Sequence, residues 1–304
     1  MGRPVSAVLS SFWGLVPVTL VQSLLYAFIA LGVMIPFRLL SFPDLTCEGS
    51  FPLGGCVCAA FLVAGAHPLT ATAAAIAAGA AAGACTAFIH LRFRINSLLA
   101  GILLMTILYS VNLRVLGRAN VALLSNETLL SMISPELNSH VPYQLMAFVL
   151  VVGVVLALLF WFLRTEAGLS LRAVGSNPEL APALRINPWA WIVAGLALAN
   201  GLSAFAGAFA VQLQGFADVQ MGFGVLINGL AALIIGETFL GRATVARQLA
   251  APVLGSVVYY QLISLGLALG LKPADLKLAT GLFVLVTLAL PALRGRPNTE
   301  TLRE

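Results

Sequence analysis

Apolar residues run in long, nearly unbroken stretches along this chain, separated by short polar joints. The stretches near 15–40, 51–66, 69–91, 97–116, 141–163, 189–211, 223–235, 249–270 and 276–293 each read as a helical segment. Most approach or exceed the about 20 residues that an α-helix needs to cross the hydrocarbon core of a bilayer. The pattern predicts an all-α polytopic membrane protein, a single transmembrane domain over residues 1–304 with about nine crossings. The segment from Phe51 contains Pro52, Gly54 and Gly55, and the one from Phe223 is short and glycine-rich. Either reads as a broken or half-crossing helix, so the expected count runs from roughly eight to ten.

Composition agrees: 60% of residues are hydrophobic and 9% charged, a balance soluble domains do not reach. Arginine and lysine are retained on the cytoplasmic face of membrane proteins. Nine crossings with an outside N-terminus and a cytoplasmic C-terminus gather Arg92, Arg94, Arg164, Arg172, Arg185, Arg242, Arg247, Arg294, Arg296 and Arg303 on that face. Arg3, Arg118, Lys272 and Lys277 stay opposite, with Arg114 at the margin. The net charge of +5 thus expresses orientation. No basic stripe with interleaved aromatics points to nucleic acid. The first apolar run exceeds a signal-peptide core and is followed by no A-x-A site, so it reads as an uncleaved span.

Catalytic chemistry has little to stand on. The polar joints are at most about 25 residues long, far below domain size, so an energy-converting module must be another chain. There is no G-x-x-x-x-G-K-[ST] loop, since Lys272 and Lys277 are the only lysines and each follows a leucine, and there is no G-x-S-x-G elbow. Cys47, Cys56, Cys58 and Cys85 form no C-x-x-C pair and have no histidine at metal spacing; they read as small apolar fillers. His67, His90 and His140 fall at predicted span edges and read as interface residues. No catalytic group, cofactor or metal is expected in this chain.

Polar groups inside spans are where function is expected, because a charge at the bilayer centre costs at least about 2.5 kcal/mol. The sequence FPDLTCEGSFPLGG places Asp44, Thr46, Glu48 and Ser50 before Pro52, marking a helix start with an approach loop. Its acids either meet a substrate or face cytoplasmic water. Tyr109, Ser110 and Asn112 form a second cluster, in which Asn112 needs an interhelical partner. Asn200 and Ser203, then Gln212 and Gln214, form a third, and Asn228 and Glu237 punctuate the seventh span. Each of these serves as helix glue as readily as pore lining. Small-residue runs such as AAGAAAGACTA and GLSAFAGAFA suit close helix packing.

The polar stretch 164–187 stands between two strongly apolar spans. Asn177 can cap a helix, Pro178 fits its first position and Glu179 suits the positive end of its dipole. Asn187-Pro188 ends it, which leaves a helix of about two turns. So short a helix suits docking against another protein; a solvated connecting loop is the plainer alternative.

Five segments in register resemble one family, the permease subunits of bacterial ABC importers of the branched-chain amino acid and ribose type, and within it the subgroup linked with tryptophan and tyrosine uptake. They are SLLYAFIALG, FPDLTCEGSFPLGG, INSLLAGILLMTILYSVNLR, LRAVGSNPELAPALRINP and GFGVLINGLAALIIGETFLG, within 19–291. The resemblance implies a type II-like importer fold in the bacterial inner membrane and a second copy of the chain as partner. It also implies two copies of a separate ATPase carrying the ATP and Mg, and an extracytoplasmic binding protein that brings the solute and sets most of the selectivity. The loop within 164–188 would hold the coupling helix, with Gly175, Asn177, Glu179, Leu180, Ala181, Leu184 and Ile186 meeting the ATPase. Arg185 stands where family members commonly have glycine, and Pro182 falls inside the helix; Arg185 is a further contact, able to supply an ion pair to the ATPase. The expected path lining is Asp44, Thr46, Glu48, Ser50, Asn112, Asn200 and Gln212. The subgroup implies an aromatic or other hydrophobic amino acid as solute, ahead of a sugar, nucleoside or organic acid. Two rivals are an ion-coupled secondary transporter using Asp44, Glu48 or Glu237, and a scaffold that recruits a partner without solute flux.

Overall fold

The computed structural model describes residues 5–124, 126–133, 140–271 and the single positions 275, 278, 281, 282 and 285. The expected ninth crossing at 276–293 falls largely outside these residues, as do Arg3, Lys272, Lys277, Arg294, Arg296 and Arg303. Eight apolar helices are described. They are α1 (Val5–Met34), α2 (Cys47–Val63), α3 (Pro68–Phe93), α4 (Ser97–Leu116), α6 (Val141–Arg164), α8 (Pro188–Gln214), α9 (Val225–Leu240) and α10 (Val245–Ala268). Six are long and apolar enough to cross a bilayer; α2 and α9, at 17 and 16 residues, are shorter. Two further helices, α5 (Leu129–Ile133) and α7 (Glu166–Ser176), lie in the joints, and a two-stranded antiparallel pair joins β1 (Asn120–Ala122) to β2 (Phe216–Asp218).

Boundaries follow local chemistry. Asn96 and Asn187 accept from the N–H groups two residues on and so start α4 and α8, while Gly117 and Gly215 end the same helices in left-handed geometry. Pro36 cannot donate, and α1 closes in a wide π-type turn, Ile35–Leu39, where Leu40 N–H reaches the Ile35 carbonyl.

Alternating helices give the bundle two ends. One carries Arg38, Arg92, Arg94, Arg164, Arg172, Arg185, Arg242 and Arg247; the other carries the β1–β2 pair, α5 and Arg118. The core packs α1 and α8 against α2, α3, α9 and α10, with Phe28, Phe51, Leu196 and Tyr259 at 2% exposure or less. Small residues set the spacing. A methyl on Gly207 would overlap the Phe51 carbonyl oxygen, so α2 and α8 touch backbone to backbone.

Three expectations need correction. The polar stretch does carry a helix, but it is α7, which ends where the two-turn helix was expected to begin. Thr165 caps it through Gly168 N–H, and Leu171 and Val174 bury its inner face. The segment after it is a turn over 178–180 and one 3-10 turn, Ala181–Leu184, because Pro182 withholds an N–H and Arg185, at φ 59°, stops any continuation. Cys85 is exposed on α3, while Cys47, Cys56 and Cys58 are buried fillers. Asp44 faces no water: segment 40–46 folds back into the bundle, and Asp44 is 2% exposed.

Candidate functional site

Two regions gather the expected residues. At the arginine-rich end, Asn177 terminates α7 and its Oδ1 accepts from Glu179 and Leu180 N–H, at 3.1 Å each. Its side chain thus caps as expected, at the start of a tight turn that runs into the 3-10 turn Ala181–Leu184 instead of a two-turn α-helix. The turn pushes Leu180 and Leu184 outward, 60% and 68% exposed, beside exposed Glu179 and Arg185. Ala181 and Ile186 turn inward against the core. Gly175 seats the assembly, since a methyl there would overlap the Leu39 carbonyl oxygen at the end of the π-type turn. The eight positions therefore divide into an exposed apolar pair with charged neighbours, an inward set of Gly175, Ala181 and Ile186, and exposed Asn177 capping the turn between them. Leu180 and Leu184 join other exposed apolar side chains at this end, among them Leu169 and Trp189, in a surface that gains by being covered.

Deeper in the bundle, the start of α2 brings Asp44, Thr46 and Ser50 to the middle of α8. Asn200 Nδ2 donates to Asp44 Oδ2 at 2.8 Å, and Ser50 Oγ donates to Asn200 Oδ1 at 2.8 Å. Thr46 N–H donates to Asp44 Oδ1 at 2.8 Å, and the Thr46 and Thr86 hydroxyls bond at 2.7 Å, reaching α3. Every member is buried and partnered, which locks the re-entrant segment to α3 and α8. Gln212 lies elsewhere, near the opposite end. Its Oε1 accepts from Leu129 N–H at 2.9 Å while its Nε2 donates to Thr72, holding α5 to the bundle.

Glu48 and Asn112 line a cavity of about 440 Å3 between α2, α4 and the turn that leads into α9. Met105, Tyr109, Pro52 and Phe223 supply most of its remaining wall. Asn112 Nδ2 donates to the Gly49 carbonyl at 3.3 Å, the interhelical partner its sequence position demands. Glu48 is half-buried, with its carboxylate beside Gly224 and Leu226 at the start of α9. Thus α2, entered from the arginine-rich end, and α9, entered from the other, start beside one another inside the bundle. Short helices that begin at depth are how membrane proteins place polar groups against a solute path.

One ion-paired group went unnoticed in the sequence. The Arg38 guanidinium binds Glu237 through Nε to Oε1 at 3.0 Å and Nη2 to Oε2 at 2.9 Å, and Arg242 Nη2 stands 2.9 Å from Oε2. The Glu237 side chain is only 7% exposed and borders a cavity of about 750 Å3 at the arginine-rich end. The signal was two opposite charges at the same predicted end of two apolar spans. Among the described residues no cluster of His, Cys, Asp and Glu fit to hold a metal ion is present.

Residues 16–290 match the family model described as the permease component of a branched-chain amino acid transport system. The chain is 38% identical over 269 residues to the tyrosine transport system permease protein of Clostridioides difficile, covering 88% of each. It is 36% identical over 274 residues to the uncharacterised protein RP368 of Rickettsia prowazekii, covering 88% of this chain and 94% of that one. Over 88 residues, 28% of each chain, it is 38% identical to the nucleoside ABC transporter permease protein NupC of Lactococcus lactis. No solved structure matches it.

Proposed function

The chain belongs to the permease family of branched-chain amino acid transport systems, and from that premise we propose that it is the membrane subunit of an ATP-driven importer for an aromatic or other hydrophobic amino acid. It is a multi-pass membrane protein; in this reading its arginine-rich end faces the cytoplasm and its N-terminus lies outside, in the bacterial inner membrane. A separate ATPase, present in two copies and carrying ATP and Mg, docks on Leu180 and Leu184 with Glu179 and Arg185 at the rim. Asn177, Gly175, Ala181 and Ile186 shape that surface from behind. Two copies of the permease pack together, and an extracytoplasmic binding protein delivers the solute.

The exposed pair Leu180 and Leu184, seated through Gly175 on the end of α1, carries this reading. The solute path follows the cavity lined by Glu48 and Asn112, with Asp44, Thr46, Ser50 and Asn200 holding its wall and Gln212 bracing the opposite end. The similarity to a tyrosine transport permease supports the choice of solute. The test is uptake of labelled L-tyrosine into proteoliposomes carrying the permease, its ATPase and the binding protein. ATP-dependent uptake that disappears when the ATPase is omitted is expected; uptake driven by an ion gradient alone overturns the proposal.

A further inference from the structure

The cavity between α2, α4 and the turn before α9 borders one charge that the protein leaves open. Asn112 sits in its wall at 1% exposure, with its amide N–H on the Gly49 carbonyl. The open group is the Glu48 carboxylate. It lies half-buried beside Gly224 and Leu226, and among the described residues no basic side chain pairs with it. A carboxylate bordering an apolar cavity attracts a cation strongly.

An ammonium group meets that need, because it carries three donors, no acceptor and one positive charge. A sugar hydroxyl or nucleobase N–H would leave the charge of Glu48 unanswered. The other walls are apolar or aromatic, with Met105, Tyr109 and Phe223 available to a large side chain, and the volume of about 440 Å3 falls within the span of small-molecule sites. Aromatic faces near the carboxylate further favour a cation.

We propose that this cavity is a recognition subsite within the permease for the ammonium group of an amino acid with a large apolar or aromatic side chain, read by Glu48. The inference rests on the reading of the chain as an amino acid importer and adds to it that the permease itself, in addition to the delivering protein, selects for a free amine.

The probes are L-tyrosine, tyramine, which keeps the amine, and 3-(4-hydroxyphenyl)propanoate, which lacks it. Each is titrated against the full-length permease in lipid nanodiscs by ligand-observed NMR. Tyrosine and tyramine are expected to bind, with the deaminated acid at least tenfold weaker. Glu48→Gln is expected to abolish that difference. Equal binding of all three compounds to the native protein, binding of none at millimolar concentration, or a Glu48→Gln protein that still discriminates tenfold overturns the subsite. The native ligand series decides the matter alone should the variant fail to fold. Tyrosine uptake by the complete transporter is scored separately: uptake without amine discrimination removes the subsite and keeps the importer, whereas no tyrosine uptake removes the importer reading itself.

Discussion

Asp44 and Asn200 lie 156 residues apart in sequence and are joined by a 2.8 Å hydrogen bond in the interior of the bundle. Asn200 also accepts from Ser50, so one amide fixes both the approach to α2 and its first turn.

Asn200→Leu should therefore be costly. It strips a donor from a carboxyl that is 2% exposed and an acceptor from Ser50, a loss of about 2–4 kcal/mol. Asp44→Asn retains an oxygen for Thr46 N–H and should cost less. Thermal unfolding of the two variants in the same detergent gives the order; a milder effect from Asn200→Leu would show that the network adds little.

Arg185 sits at φ 59°, where a Cβ is strained. Arg185→Gly should stabilise the tight turn by about 1 kcal/mol, and Arg185→Val should destabilise it. Amide exchange across 181–187 reports the effect locally, with slower exchange expected in the glycine variant.

Leu184→Glu changes a side chain that is 68% exposed, so the melting temperature should stay near that of the native protein, within about 0.5 kcal/mol. Co-purification of the ATPase should fall severalfold, and uptake with it. Unchanged co-purification would move the docking surface elsewhere.

Glu237 is the shared anion of Arg38 and Arg242, whose side chains are 25% and 47% exposed. Arg38→Ala, which removes the two-pronged and better buried contact, should cost about 2 kcal/mol. Arg242→Ala should cost under about 1 kcal/mol, and less at high salt. A denaturant or thermal series at two ionic strengths separates them.

The helices were legible because bilayer crossing demands length and apolarity that few other structures share. Ser97–Leu116 matches the segment read from sequence because a capping asparagine and a terminal glycine bracket it. The polar stretch was misread because Asn177 closes one helix while its side chain caps the turn that follows, and both uses leave the same residue in the sequence. Thr165 with Glu166 in the first turn was the available mark of the real helix. Burial of Asp44 was invisible for a different reason: its partner is on α8, and no local pattern reports a contact over that separation. The neighbours of Asn112 and Glu48 in the cavity come from three separate elements, so the site exists only after folding.

The Gly175 contact has a mechanical consequence. Backbone there rests on backbone, with no room for even one methyl group. A residue as small as alanine at that joint would prise the leucine-bearing turn away from the final turn of α1.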